Sequence, residues 1–360
     1  MRFRELLEYD DLGAEKENII RTISGLDAAN EEQAALLDRI YKLLNSEGVG
    51  DRIGAAFQTP IADEKMSAKA KQQHMINLTR VISQLDADYK ALSKFLDSVE
   101  KGTAVNIKAL SQPINSLNAV FNGDPVALKC FDELKNYGVG QRQKGPGEFA
   151  LALMSPKIRL ADGEGDIEID GIGQVELKTA TGQGGGRLGA GGVTQEVLMN
   201  ELRKFQEVIP ATIEAIESTS GGSVGLVPFV KMLNQELPIS GSGEINNKQM
   251  RQRIALALLT PNFGPAAQGI AQAFGEEDPA KVLEAYVKGN FEWYKQKDDF
   301  DAFLVIGVGR GKTMMARTGD DIIKMYQAKH LTGFGISIIG TKSGSPREVF
   351  AQMTPSAAAV

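Results

Sequence analysis

From Gly165 to Lys178 the chain reads Gly-Asp-Ile-Glu-Ile-Asp-Gly-Ile-Gly-Gln-Val-Glu-Leu-Lys, with apolar and charged residues alternating on both sides of a glycine-containing turn. A period of two belongs to extended strands, whose successive side chains point to opposite faces. The stretch therefore predicts a hairpin, with strands at 166–170 and 174–179 and a turn at Asp170-Gly-Ile-Gly173. Ile167, Ile169, Val175 and Leu177 are expected on its core face. Asp166, Glu168, Asp170, Glu176 and Lys178 are expected on the other, which gathers four carboxylates around one ammonium. Such a group repels itself, and a hard divalent cation relieves the repulsion with a few carboxylate oxygens, water and a substrate phosphate.

Other metal chemistries are excluded by composition. One cysteine, Cys130, permits no internal disulfide, and two distant histidines, His74 and His330, leave no zinc cluster. The 360 residues, 42% hydrophobic and 24% charged, suffice for two domains with cores. A net charge of −6 argues against a protein that coats nucleic acid. Between Asp301 and Arg347, however, seven Lys or Arg face three acids, a net of +4 that could meet a phosphate backbone. The start Met1-Arg-Phe-Arg lacks a secretory pattern, and no stretch is long enough to span a bilayer, so a cytoplasmic setting without membrane is expected.

The first hundred residues carry a different period. Met75, Leu78, Ile82, Leu85, Tyr89, Leu92, Leu96 and Val99 follow steps of three and four, a heptad seam. Ile19, Ile23, Leu26, Asn30, Gln33, Leu37, Ile40 and Leu44 repeat the pattern with two polar interruptions. Gly48, Gly50, Gly54 and Pro60 lie between the seams. The chain is expected to form a helical hairpin, an intermolecular coiled coil serving a homo-oligomer or protein partner, or a small bundle with no partner. The expected organisation is a helical coiled-coil or hairpin domain at 1–110, a helical connector at 111–144, an α+β domain at 145–350 and a tail at 351–360. A mainly helical insertion is expected at about 219–300.

Within the larger domain, Pro146 opens a helix running through Phe149 to Met154, and 157–160 is a short strand. Thr194 is expected to cap one long helix with Leu198, Leu202, Phe205, Ile209, Ile213 and Ile216 on one face. Strands are expected at 302–308, 313–317 and 335–339, and a helix at 319–330.

Asp166, followed after nine residues by Glu176-x-Lys178 at the end of a hairpin, resembles the PD-(D/E)xK nucleases, a superfamily of restriction endonucleases and repair and phage nucleases. Glu148, in the helix opened by Gly145-Pro-Gly, matches the place where many members carry a further acid. The resemblance implies a restriction-endonuclease-like mixed sheet flanked by helices behind the N-terminal helical domain. It also implies hydrolysis of DNA phosphodiester bonds with Mg²⁺ or Mn²⁺. Asp166 and Glu176 would bind the metal, Lys178 would orient or activate water, and Glu148 would assist through a second metal or a bridging water. Gln195 and Glu196, at a helix start, and Arg187, in a loop with seven glycines between Gly182 and Gly192, are candidate substrate contacts. Gly165 stands where the family name has proline, and nine residues is a short spacing.

Other signals do not extend this reading. Gly307-Val-Gly-Arg-Gly-Lys-Thr313 is one residue short of a P-loop and leads into a strand pattern. Asp166-x-Glu-x-Asp-Gly171 opens like an EF-hand loop but has Leu177 at its twelfth position. Trp293 and Tyr294 are expected in packing. The segment Met1–Tyr9 is similar to the starts of proteins from T4-like phages, which raises a second class of function: a structural or assembly protein of a phage particle.

Overall fold

The computed structural model describes residues 89–136, 146–161, 165–179, 192–218, 223–240, 244–308 and 311–328. It also describes short pieces at 35, 39–40, 78, 81–82, 85, 331–332, 338–339, 348–350 and 354–355. The chain forms two compact units, Met1–Leu177 and Lys178–Val360. Both mix helices with antiparallel strands, so the α+β class holds. Among the described residues, no helix is long and apolar enough to cross a membrane.

In the first unit, helix α1 (Tyr89–Glu100) continues the second seam. Its seam residues Leu92, Leu96 and Val99 are buried together with Phe95, as are Leu78, Ile82 and Leu85 before it. Ile40 of the first seam is also buried, and its neighbour Arg39 reaches α1. Arg39 Nη1 donates to Ser93 Oγ at 2.7 Å and Nη2 to Glu100 Oε2 at 3.1 Å, with a further ion pair to Asp97. That guanidinium holds the Asp97 carboxyl below its usual pKa. The rest of both seams lies outside the described residues.

Short elements follow: α2 (Ile107–Leu110), β1 (Ile114–Ser116) and α3 (Leu117–Val120). Helix α4 (Pro125–Asn136) packs against α1 and against α5 (Pro146–Met154), which in turn packs on β2 (Ile158–Leu160). Strands β3 (Ile167–Ile169) and β4 (Gly173–Thr179) complete a meander with β2. Helix α5 is buried on every side from Gly147 to Met154, which its run of Phe, Ala, Leu and Met allows.

The second unit begins within β4. Strand β5 (Gly192–Thr194) pairs with β11 (Glu348–Phe350) and leads into α6 (Gln195–Arg203). The long helix expected from Thr194 is instead two helices, α6 and α7 (Pro210–Ser218), joined by turns. Pro210 has no N–H to donate and drives the preceding residue out of helical geometry, while its fixed φ suits the first position of a new helix. The apolar face is as expected, since Leu198, Leu202, Ile209, Ile213 and Ile216 are all buried. Thr194 makes no side-chain cap bond. Glu236 supplies the missing acceptor at the start of α7, taking Ala211 N–H at 2.9 Å and Thr212 N–H at 2.8 Å.

The region expected as a helical insertion contains β6 (Ser223–Val224), paired with β10 (Ile338–Ile339), and then α8 (Leu226–Glu236), α9 (Glu244–Phe263), α10 (Ala267–Ala273) and α11 (Pro279–Lys297). Their apolar faces share one core with β7 (Ala302–Val308) and β8 (Lys312–Ala316). These strands pair antiparallel, so Lys312 and Thr313 lie in a strand and do not open a helix. Tyr294 packs edge-on against Phe300 at 5.1 Å, and Trp293 Nε1 donates to Asn262 O at 3.0 Å, both in the packing role expected. Helix α12 (Gly319–Gln327) opens on a reciprocal Thr318/Asp321 capping box. β9 (Leu331–Thr332) pairs with β12 (Thr354–Pro355).

Gly289 permits a close helix approach. A methyl group there would lie 2.4 Å from Ile270 Cγ1, on a side chain that is itself buried. Alanine ordinarily stabilises a helix interior by about 1 kcal/mol over glycine. At this site overpacking should win, and Gly289→Ala is expected to lose roughly 1–3 kcal/mol in urea denaturation. A gain in stability would contradict the close approach.

Candidate functional site

The alternation in the sequence translates directly into the β2–β3–β4 meander. Ile158 faces Ile169, Leu160 faces Ile167, and Ile167 faces Val175, all buried on one face. The register puts Arg159 opposite Glu168, and Glu168 opposite Gln174, on the other face.

That opposite face is not the single carboxylate cluster expected. Arg159 takes two of the acids: its Nη2 lies 2.9 Å from Glu168 Oε1 and its Nη1 2.9 Å from Asp170 Oδ1. Both carboxylates raise the Arg159 pKa, with the Glu168 hydrogen bond the largest cause. The signal for this was present in the sequence, because Ile158 and Leu160 flank Arg159 and alternation alone turns it toward Glu168. All three side chains are between two-fifths and one-half exposed, so the network defines an edge of the site and adds little stability.

Asp166 is placed by its neighbours on both sides. Gly165 adopts φ +73°, and Asp166 N–H donates to Val175 O at 3.0 Å, while Asp166 O accepts from Ala161 N–H at 3.1 Å. Proline is confined to φ near −65° and could not hold this bend, which gives a physical reason for glycine before the aspartate. Asp166 Oδ2 accepts from Leu177 N–H at 2.8 Å. The carboxylate is thereby pinned to β4 between Glu176 and Lys178. These two lie two residues apart on one strand face, about 7 Å between Cα atoms.

Glu176 is 8% exposed and Lys178 is half-buried, so β4 is covered on its charged face as well as on the core face. Glu148 is 5% exposed in the first turn of α5, where a carboxylate complements the partial positive charge of the helix start. Among the described residues, no three or more His, Cys, Asp and Glu side chains converge closely enough to hold a metal ion. Within the expected group of Glu148, Asp166 and Glu176, the structure brings Asp166 to the Glu176-x-Lys178 strand. Oxygen donors of this kind fit Mg²⁺, which keeps waters and takes one or two carboxylates with substrate phosphate. Gln195 is the first residue of α6 and Glu196 is exposed there, whereas Arg187 lies outside the described residues.

No family model matches the chain, and neither a curated protein nor a solved structure matches it.

Proposed function

We propose that this protein is a metal-dependent nuclease with a restriction-endonuclease-like catalytic core that hydrolyses DNA phosphodiester bonds. The observation that carries the reading is the Asp166 carboxylate held by the Leu177 amide, which joins the two halves of the Asp…Glu-x-Lys motif at one strand. Asp166 and Glu176 would hold Mg²⁺ or Mn²⁺. When bound, the ion supplies positive charge at a scissile phosphate and acidifies a water. Lys178, on the same strand face as Glu176, orients the attacking water or donates to a non-bridging phosphate oxygen as negative charge builds there. Glu148 is a buried acid in the neighbouring helix and acts through a bridging water.

The second reading is a non-catalytic structural or assembly protein of a phage particle, for which the pairing of Glu168 and Asp170 with Arg159 would be a purely structural hairpin network. The experiment that separates them is cleavage of plasmid and single-stranded DNA by the purified full chain with Mg²⁺ or Mn²⁺, beside Asp166 and Lys178 variants. Cleavage by wild type and loss in the variants supports the nuclease. No cleavage of either substrate with either metal overturns it.

A further inference from the structure

The first unit contains a second place where charge is arranged toward a ligand. A cavity of about 570 Å³ opens among α1, the turn at 101–106, the start of α2 and the turn at 121–124. Lys94 of α1, Lys108 of α2 and Lys157 in the turn before β2 line it. Asp124 is the one acid in the lining, and its Oδ1 is already committed to the start of α4, accepting Val126 N–H at 2.8 Å and Ala127 N–H at 3.3 Å. The nearby acids of α1, Asp97 and Glu100, are held by Arg39. None of the three lysines makes an ion pair among the described residues.

The polar wall is built and has hydrogen-bonding capacity to spare. Asn106 Nδ2 donates to Asn122 Oδ1 at 3.0 Å, and Asn122 Nδ2 donates to Thr103 O at 2.9 Å. Each amide nitrogen carries a second N–H that these bonds do not use. Asn122 sits at φ +54°, a conformation asparagine tolerates better than most residues. Behind the polar groups lie Ala104, Val105 and Phe121, a small apolar floor. Lys94, Lys108 and Lys157 put three positive charges around one opening, and an anion of two or three charges is the complementary ligand. The volume falls within the roughly 300–1,000 Å³ of small-molecule sites.

We propose that this cavity binds a small organic polyphosphate of nucleotide size, with Lys94, Lys108 and Lys157 on the phosphates and the Asn106 and Asn122 amides on the organic part. The site is independent of the Asp166 region, so the test excludes metal. In EDTA, pyrophosphate and ADP are titrated calorimetrically into the full chain, with adenosine as the uncharged control. Pyrophosphate and ADP are expected to compete for one site per chain, with adenosine at least about tenfold weaker and affinity falling as salt is raised. Single Lys→Ala variants should each weaken ADP about threefold to fivefold, and the Lys94/Lys108/Lys157 triple variant by about thirtyfold or more. These side chains are exposed, so thermal unfolding midpoints should stay unchanged. No binding of either phosphate by wild type, or ADP binding unchanged in the triple variant, overturns the proposal.

Discussion

Asp166→Asn is expected to abolish Mg²⁺-dependent cleavage, by about a thousandfold or more, while leaving the protein nearly as stable as wild type. The asparagine side-chain oxygen can still accept the Leu177 N–H that Asp166 Oδ2 accepts at 2.8 Å, so the local strand geometry survives. What it loses is the negative charge that would hold the cation. Asp166→Ala removes both, and should lose cleavage and also about 1 kcal/mol of stability, because the Leu177 amide loses its acceptor. Lys178→Ala should reduce the rate by about a hundredfold to a thousandfold, the usual consequence of removing one group that stabilises developing charge. The set is read by initial cleavage rates and urea midpoints on the same preparations. Wild-type-like cleavage by Asp166→Asn would show that the carboxylate is only a strut for β4. Equal loss of stability in the Asn and Ala variants would show that the hydrogen bond is not what positions it.

The largest stability effect is expected in the second unit. Arg251, on α9, is fully buried, and its guanidinium donates to three backbone carbonyls: Phe274 at 2.8 Å, Glu276 at 2.7 Å and Leu237 at 3.5 Å. Leu237 and Phe274 end α8 and α10, where carbonyls lack helical partners and carry partial negative charge. Burial lowers the Arg251 pKa and Glu277 opposes that shift, but an arginine starts so high that it stays charged at neutral pH. Arg251→Met roughly preserves volume yet strands the carbonyls in an apolar interior. It is expected to lose about 3–5 kcal/mol in urea denaturation. Arg251→Lys keeps the charge but not the planar fork and should recover only part of the loss. A Met variant within about 1 kcal/mol of wild type would mean that the three bonds do not hold these helix ends.

Much of the architecture near Asp166 was determined by the sequence alone, and for a local reason. Strand alternation involves only neighbouring residues, so Ile167, Ile169, Val175 and Leu177 could be assigned to the buried face without knowing what covers them. The start of α5 at Pro146 and the breaking of a helix at Pro210 also rest on the chemistry of one ring, although an unbroken apolar face concealed the second. Partnership was decided only by tertiary structure. Periodicity put Glu168 and Asp170 on a common face with Glu176, yet the register of β2 brought Arg159 between them. Arg251 and Arg253 are indistinguishable as letters in one helix, but one is buried under three carbonyls while the other remains exposed. The lysine cavity likewise assembles residues as distant as 94 and 157. Faces follow from backbone geometry that each residue carries with it, whereas ion pairs and pockets depend on which segments the completed core brings together.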